Sequence, residues 1–122
     1  MKQQVTIFKN IKETETPFFK DVAYILKRIK EGKSKILIKE IRKEKDKTKR
    51  NELKKNLPAI CFSGQFNKRS DSALQEHSGI ICLDFDGYDK TKDLLQDKEQ
   101  FINNKFVFSV FVSPSGNGLK VL

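Results

Sequence analysis

Ile80-Ile81-Cys82-Leu83-Asp84-Phe85-Asp86-Gly87 is the stretch on which the fold of this chain turns. Four uninterrupted apolar residues suit a strand covered on both faces, as in a sheet with crossover helices. Two carboxylates flanking Phe85 then end the apolar run, and Gly87 supplies a turn residue. Downstream, Asp89 or Thr91 can cap a helix carrying Leu94, Leu95, Phe101 and Ile102. Residues 106–112 are apolar enough for another strand. Ser113-Pro114-Ser115-Gly116-Asn117-Gly118 then turns into Leu119-Lys120-Val121-Leu122. The order strand, helix, strand, hairpin, strand predicts a right-handed crossover.

Upstream, Ala59-Ile60-Cys61-Phe62 reads as a short strand, and residues 67–76, polar and rich in turn formers, as a loop. Val5 to Phe8 alternates as an edge strand does. Thr16 and Pro17 suit a helix start that buries Phe18, Val22, Ile25, Leu26 and Ile29, with Gly32 as its stop. A second helix from near Ser34 offers Ile36, Leu37, Ile38 and Ile41. Residues 42–52 lack any large apolar side chain and are expected to be exposed, with Leu53 and Leu57 pinning the far end before Pro58. The fold class expected is α/β in the α+β sense, over one domain of residues 1–122. Residues 1–58 form a strand plus basic helices, and residues 59–122 a β-α-β-β sheet. Because Leu122 falls inside an expected strand, the domain is read as an incomplete piece of a longer protein.

The 122 residues carry a net charge of +9, unevenly placed. Residues 33–55 hold eleven Lys/Arg against four Asp/Glu, and residues 76–101 hold seven acids against three lysines. The basic helices suit either a solvated face or nucleic-acid contact, with Arg42, Lys43, Lys49, Arg50, Lys68 and Arg69 as the candidate contacts. No apolar run reaches the roughly 20 residues that span a bilayer and no signal segment follows Met1, so a cytoplasmic protein without membrane contact is expected. Cys61 and Cys82 sit in apolar runs without CxxC spacing and read as reduced thiols.

Residues two apart on a strand face the same way, so Asp84 and Asp86 are expected to converge while Phe85 packs oppositely. Paired hard oxygens at a strand end suit Mg²⁺ or Mn²⁺ that also binds phosphates; a turn at Asp86-Gly87 is the alternative. Asn117-Gly118 suits a plain hairpin turn, and Ser115, Gly116 and Gly118 form a small loop whose amides suit a phosphate. Lys120 interrupts an apolar strand, as a phosphate ligand or as an edge-strand lysine.

The motifs Leu83-Asp84-Phe85-Asp86 and Ser115-Gly116-Asn117-Gly118-Leu119-Lys120 resemble the motif pair of the archaeo-eukaryotic primase superfamily. With residues 57–64, His77-Ser78-Gly79 and residues 113–120 added, the chain is most similar to the VirE amino-terminal-like primase–polymerase domains of Bacteroidetes, their phages and mobile elements. The resemblance implies a partial RRM-like sheet and metal-dependent nucleotidyl transfer in DNA replication or priming. It makes Asp84 and Asp86 metal ligands and, with Lys120, catalytic residues, while Ser113, Ser115, Gly116, Gly118 and Lys120 line a nucleoside triphosphate. Nucleic acid, DNA above all, and a helicase or other replication protein are the implied partners. Two departures stand out: Lys120 occupies the place of a histidine, and the superfamily's third carboxylate would lie beyond Leu122. The alternatives are a non-catalytic nucleic-acid or replication-partner binding domain and, less fitting, a haloacid-dehalogenase-type phosphatase. For the latter, Tyr88 stands where a threonine is usual and too little chain follows Gly87.

Overall fold

A computed structural model describes residues 3–122, and the chain divides into two compact units, residues 1–80 and 81–122. Among the described residues there are four α-helices and three small antiparallel sheets, a mixed α+β architecture in which most helices precede the later strands. No helix among them is long and apolar enough to cross a membrane.

In the first unit, strand β1 (Gln4–Phe8) is central rather than an edge. It pairs antiparallel with β2 (Phe18–Asp21), Ile7 opposite Phe18 and Gln4 opposite Asp21, and with β3 (Ala59–Cys61), Thr6 opposite Cys61. The helix expected from Thr16 and Pro17 therefore starts late. Residues 18–21 pair in the ladder with β1, and the Gln4 amide donates to Asp21 Oδ1 at 2.7 Å. Thr16 caps nothing: its N–H and that of Glu15 donate to Glu13 Oε1 at 3.0 and 2.8 Å, which holds the Glu13 carboxyl below its ordinary range. Phe18, expected in the core, is 53 % exposed.

Helix α1 (Val22–Lys30) buries Val22 and Ile25. Gly32, at φ +69°, turns the chain into α2 (Lys35–Lys43), and Asp46 caps α3 (Lys47–Lys54) by accepting from the Lys49 N–H at 2.9 Å. Ile41 is buried in α2, but Ile36, five residues earlier and so about 140° round the helix, is exposed.

The expected loop over residues 67–76 conceals a hairpin, β4 (Gly64–Phe66) with β5 (Leu74–His77), joined through a single 3-10 turn at Asp71–Ala73. Its strands escaped the sequence reading because Leu74-Gln75-Glu76-His77 is exposed throughout and shows no apolar alternation. Thr6 ties the hairpin to β1: its buried hydroxyl donates to Gly64 O at 2.7 Å and accepts from the Phe66 N–H at 2.9 Å. The core of this unit gathers Val5, Phe8, Val22, Ile25, Ile41 and Phe66.

In the second unit the strands β6 (Leu83–Phe85), β7 (Val110–Val112) and β8 (Leu119–Val121) lie in the order β6-β8-β7, with helix α4 (Thr91–Ile102) between β6 and β7 in sequence. Since β8 runs antiparallel to both neighbours, β6 and β7 are parallel to each other with β8 inserted between them. The central strand is thus β8, whose Leu119 and Val121 are buried with Leu94 of α4, flanked by Tyr88, Phe101, Val107, Val110 and Val112. This corrects the reading of residues 80–83 as a strand covered on both faces. Ile80 alone of them is buried, Ile81 is 69 % exposed, and β6 starts at Leu83 as an edge strand. The strand expected over residues 106–112 shortens to 110–112, because Asn104 turns the chain before it: its side chain accepts from Phe106 N–H at 2.9 Å and its carbonyl from Val107 N–H at 3.1 Å. Neither Asp89 nor Thr91 caps α4, since Lys90 holds the cap position without a side-chain bond.

Candidate functional site

Asp84 is the middle residue of β6 and lies directly opposite Lys120 of β8, which in turn lies opposite Phe111 of β7. Strand alternation puts Leu83 and Phe85 on the face of Val121 and Leu119, where Phe85 meets Phe101 of α4 with ring centroids 5.0 Å apart. Asp84, Lys120 and Phe111 therefore form a row across the opposite face. The Lys120 ammonium donates to Asp84 Oδ2 at 2.5 Å, in a pair whose side chains are 29 % and 48 % exposed respectively. A positive charge already stands against Asp84, so a divalent cation is not the only counter-charge available to it.

Asp86 follows β6 and lies close to the hairpin at Gly118. A Cβ placed on Gly118 would stand 2.8 Å from Asp86 Oδ1, 2.8 Å from Phe85 O and 3.0 Å from Ser113 Oγ. Position 118 must be a glycine for the Asp86 carboxylate and the buried Ser113 hydroxyl to crowd around it. The hairpin is closed by Ser113 N–H donating to Gly118 O at 2.9 Å and Gly116 N–H donating to Ser113 O at 2.9 Å. The amide of Gly116 is thus spent inside the turn rather than directed at a ligand. Ser115 is half-buried in the same turn, and Tyr88 N–H donates to Asn117 O at 3.0 Å, tying the segment after Asp86 to it.

Gly118→Ala is expected to push β8 off β6 and cost about 1–3 kcal/mol, the usual penalty of overpacking. Urea unfolding measures it, and an unchanged midpoint would show that β6 and β8 make room for the methyl without cost.

The structure brings Asp84, Asp86, Ser113, Gly118 and Lys120 together on one sheet and hairpin. Among the described residues, no group of three or more His, Cys, Asp or Glu side chains is placed to hold a metal ion. A cation here would take two carboxylates at most, with water and a ligand's oxygens supplying the rest, the arrangement Mg²⁺ accepts. Cys61 and Cys82 are free thiols, both pushed above their ordinary range chiefly by desolvation.

The six basic candidates belong to the first unit. Lys43 in α2, Lys49 in α3 and Lys68 after β4 are exposed, as is Arg42. Arg50 is half-buried, with its Nε lacking a hydrogen-bond partner. Arg69 braces the loop after β1 instead, its guanidinium bonded to Ile11 O and its N–H donating to Thr14 O at 2.9 Å. The sequence reading assigned nothing to Tyr24, whose ring has Lys20 Nζ 5.2 Å and the Arg28 guanidinium carbon 5.9 Å from its centroid. The available signal was the i, i+4 spacing of Tyr24 and Arg28.

Residues 52–122, more than half of the chain, match the family described as BT4734-like, N-terminal domain, and the chain belongs to that family. This overturns the resemblance to the archaeo-eukaryotic primase superfamily and its VirE amino-terminal-like domains, since the matching family is a distinct one. The motifs that carried the resemblance are short: an acid pair around Phe85 and a glycine-rich hairpin. No curated protein and no solved structure matches the chain.

Proposed function

We propose that the Asp84, Asp86 and Lys120 face binds a divalent cation, Mg²⁺ or Mn²⁺, together with the phosphates of a nucleotide, and serves nucleotidyl transfer. The observation that carries this reading is the cross-strand meeting of Asp84 with Lys120, with Asp86 and Ser113 packed around Gly118 beside it. An acid pair and an ammonium on adjacent strands are complementary to a metal–phosphate unit, in which both signs of charge lie a few ångströms apart. When bound, the cation would neutralise charge developing on the transferred phosphate. Asp84 and Asp86 would hold the cation. Lys120, released from Asp84 as the carboxylate turns to the metal, would donate to a phosphate oxygen, and Ser113 would fix the carboxylate of Asp86.

A non-catalytic binding domain is the second reading, favoured by the lack, among the described residues, of a group of three metal-ligating side chains and by Lys120 being already paired.

Calorimetric titration with Mn²⁺ and a nucleoside triphosphate tests the proposal. Asp84→Asn should weaken Mn²⁺ binding at least about tenfold, and Lys120→Ala should weaken the triphosphate by a similar factor, as expected when a charged hydrogen bond worth about 1.5–3 kcal/mol is removed. Mn²⁺ affinity unchanged by Asp84→Asn defeats the reading. Binding of both without release of pyrophosphate would favour the non-catalytic alternative.

A further inference from the structure

The first 80 residues carry twenty Lys/Arg against ten Asp/Glu, and the remaining 42 carry five against six, so the whole positive excess belongs to the first unit. Part of it is arranged around aromatic rings. On β2, Phe18 and Lys20 project to the same side, two residues apart, and both are exposed. Lys20 reaches over Tyr24 of α1, and Arg28, one helical turn on, lies over the same ring and donates to Tyr24 Oη at 3.4 Å. Tyr24 itself is 43 % exposed. The run Phe18, Lys20, Tyr24, Arg28 therefore alternates flat apolar rings with cations.

Helices α2 and α3 add exposed lysines, among them Lys35, Lys39, Lys43, Lys47 and Lys49. Among the described residues, no carboxylate stands within ion-pair distance of any of these, nor of Lys20 or Arg28, whereas Lys27, Lys33 and Lys55 do meet carboxylates. Cations left without carboxylate partners cost no ion pair when a polyanion arrives, and rings held among them offer bases a surface to stack on.

We propose that the first unit binds single-stranded nucleic acid, with Phe18 and Tyr24 as stacking positions and Lys20, Arg28 and the lysines of α2 and α3 on the phosphates. A single strand fits better than a duplex because stacking on Phe18 or Tyr24 needs unpaired bases. Tyr24's hydroxyl is held below its ordinary range by Arg28, then by Lys20 and Lys33, in keeping with a positive field on this surface. The inference stands apart from the Asp84 face, which lies in the other unit.

Fluorescence anisotropy of the full chain with a labelled 20-mer of deoxythymidine, in EDTA so that no divalent cation takes part, tests it. Engagement of about five phosphates predicts a log–log salt slope near −3.5, hence about a hundredfold loss of affinity from 50 to 200 mM salt. Tyr24→Leu, which keeps an apolar side chain at an exposed position, should weaken the single strand about fivefold or more through lost stacking while leaving a duplex of the same length unchanged. Lys39→Gln with Lys43→Gln should flatten the slope by about 1.4 if both lysines sit on phosphates. Absence of binding at 50 mM salt, preference for the duplex, or tighter association with anionic phospholipid vesicles than with the oligonucleotide overturns the proposal. So does an affinity unmoved by Tyr24→Leu in a protein whose circular dichroism is native.

Discussion

Gly64→Ala is expected to destabilise the first unit by about 4 kcal/mol or more, in the range reserved for substitutions that break a specific structural feature. A Cβ at this position would stand 2.0 Å from Glu76 O, with Glu76 C and His77 Cα both at 3.0 Å. All three are backbone atoms of the paired strand β5, so no side-chain rotation relieves the clash. β4 must separate from β5, and that separation removes the pairing of Gly64 with His77 and moves Gly64 O away from the Thr6 hydroxyl. Gly87 is the natural control: it has φ +79° and a methyl added there would meet no atom within 4 Å, so Gly87→Ala faces only the left-handed backbone penalty of about 1–2 kcal/mol. Urea titration followed by circular dichroism compares the two. A midpoint shift for Gly64→Ala no larger than that for Gly87→Ala would show that the hairpin opens without cost.

Thr6→Val should lower stability by about 2–4 kcal/mol, through two buried groups losing their partner at once. Thr6 is fully buried, and its hydroxyl both donates to Gly64 O and accepts from Phe66 N–H. Valine has the same shape, so packing is retained while a carbonyl and an amide are stranded away from water. Thr6→Ser keeps the hydroxyl and deletes one methyl, a loss of about 0.8 kcal/mol of burial. The expected order of unfolding midpoints is wild type, then Ser, then Val. If Val proves the milder change, water reaches Gly64 O and Phe66 N–H, and Thr6 is a packing residue rather than a polar tie.

Both effects reside in contacts that local pattern does not announce. β1 and β3 were legible because Val5 to Phe8 and Ala59 to Cys61 combine apolar and β-branched residues, the first between Gln4 and Lys9 and the second between Pro58 and Ser63-Gly64. Helix α2 and the polar stretch after it were legible from Ile41 and the absence of apolar residues beyond it, and β8 from its glycine-rich turn. The β4–β5 hairpin was not, because its residues are held by Gly64's close approach and by Thr6, 58 residues away, rather than by an apolar face of their own. The start of α1 was misplaced for a related reason: Thr16 and Pro17 are good helix openers, yet β1 offers residues 18–21 a ladder that a helix cannot match there.

The candidate site divides the same way. That Asp84 and Asp86 flank a phenylalanine after an apolar run, that Asn117 and Gly118 turn the chain, and that Lys120 interrupts an apolar strand are properties of the sequence alone. So is the concentration of positive charge in the first part of the chain. Which of these residues meet was decided by tertiary structure. Inserting β8 between β6 and β7 sets Lys120 against Asp84 across 36 residues of chain, makes β6 an edge, and leaves only a glycine able to sit beside Asp86. Strand order is chosen by long-range backbone pairing and by which strand buries both neighbours' apolar faces, quantities that periodicity within a single segment does not contain.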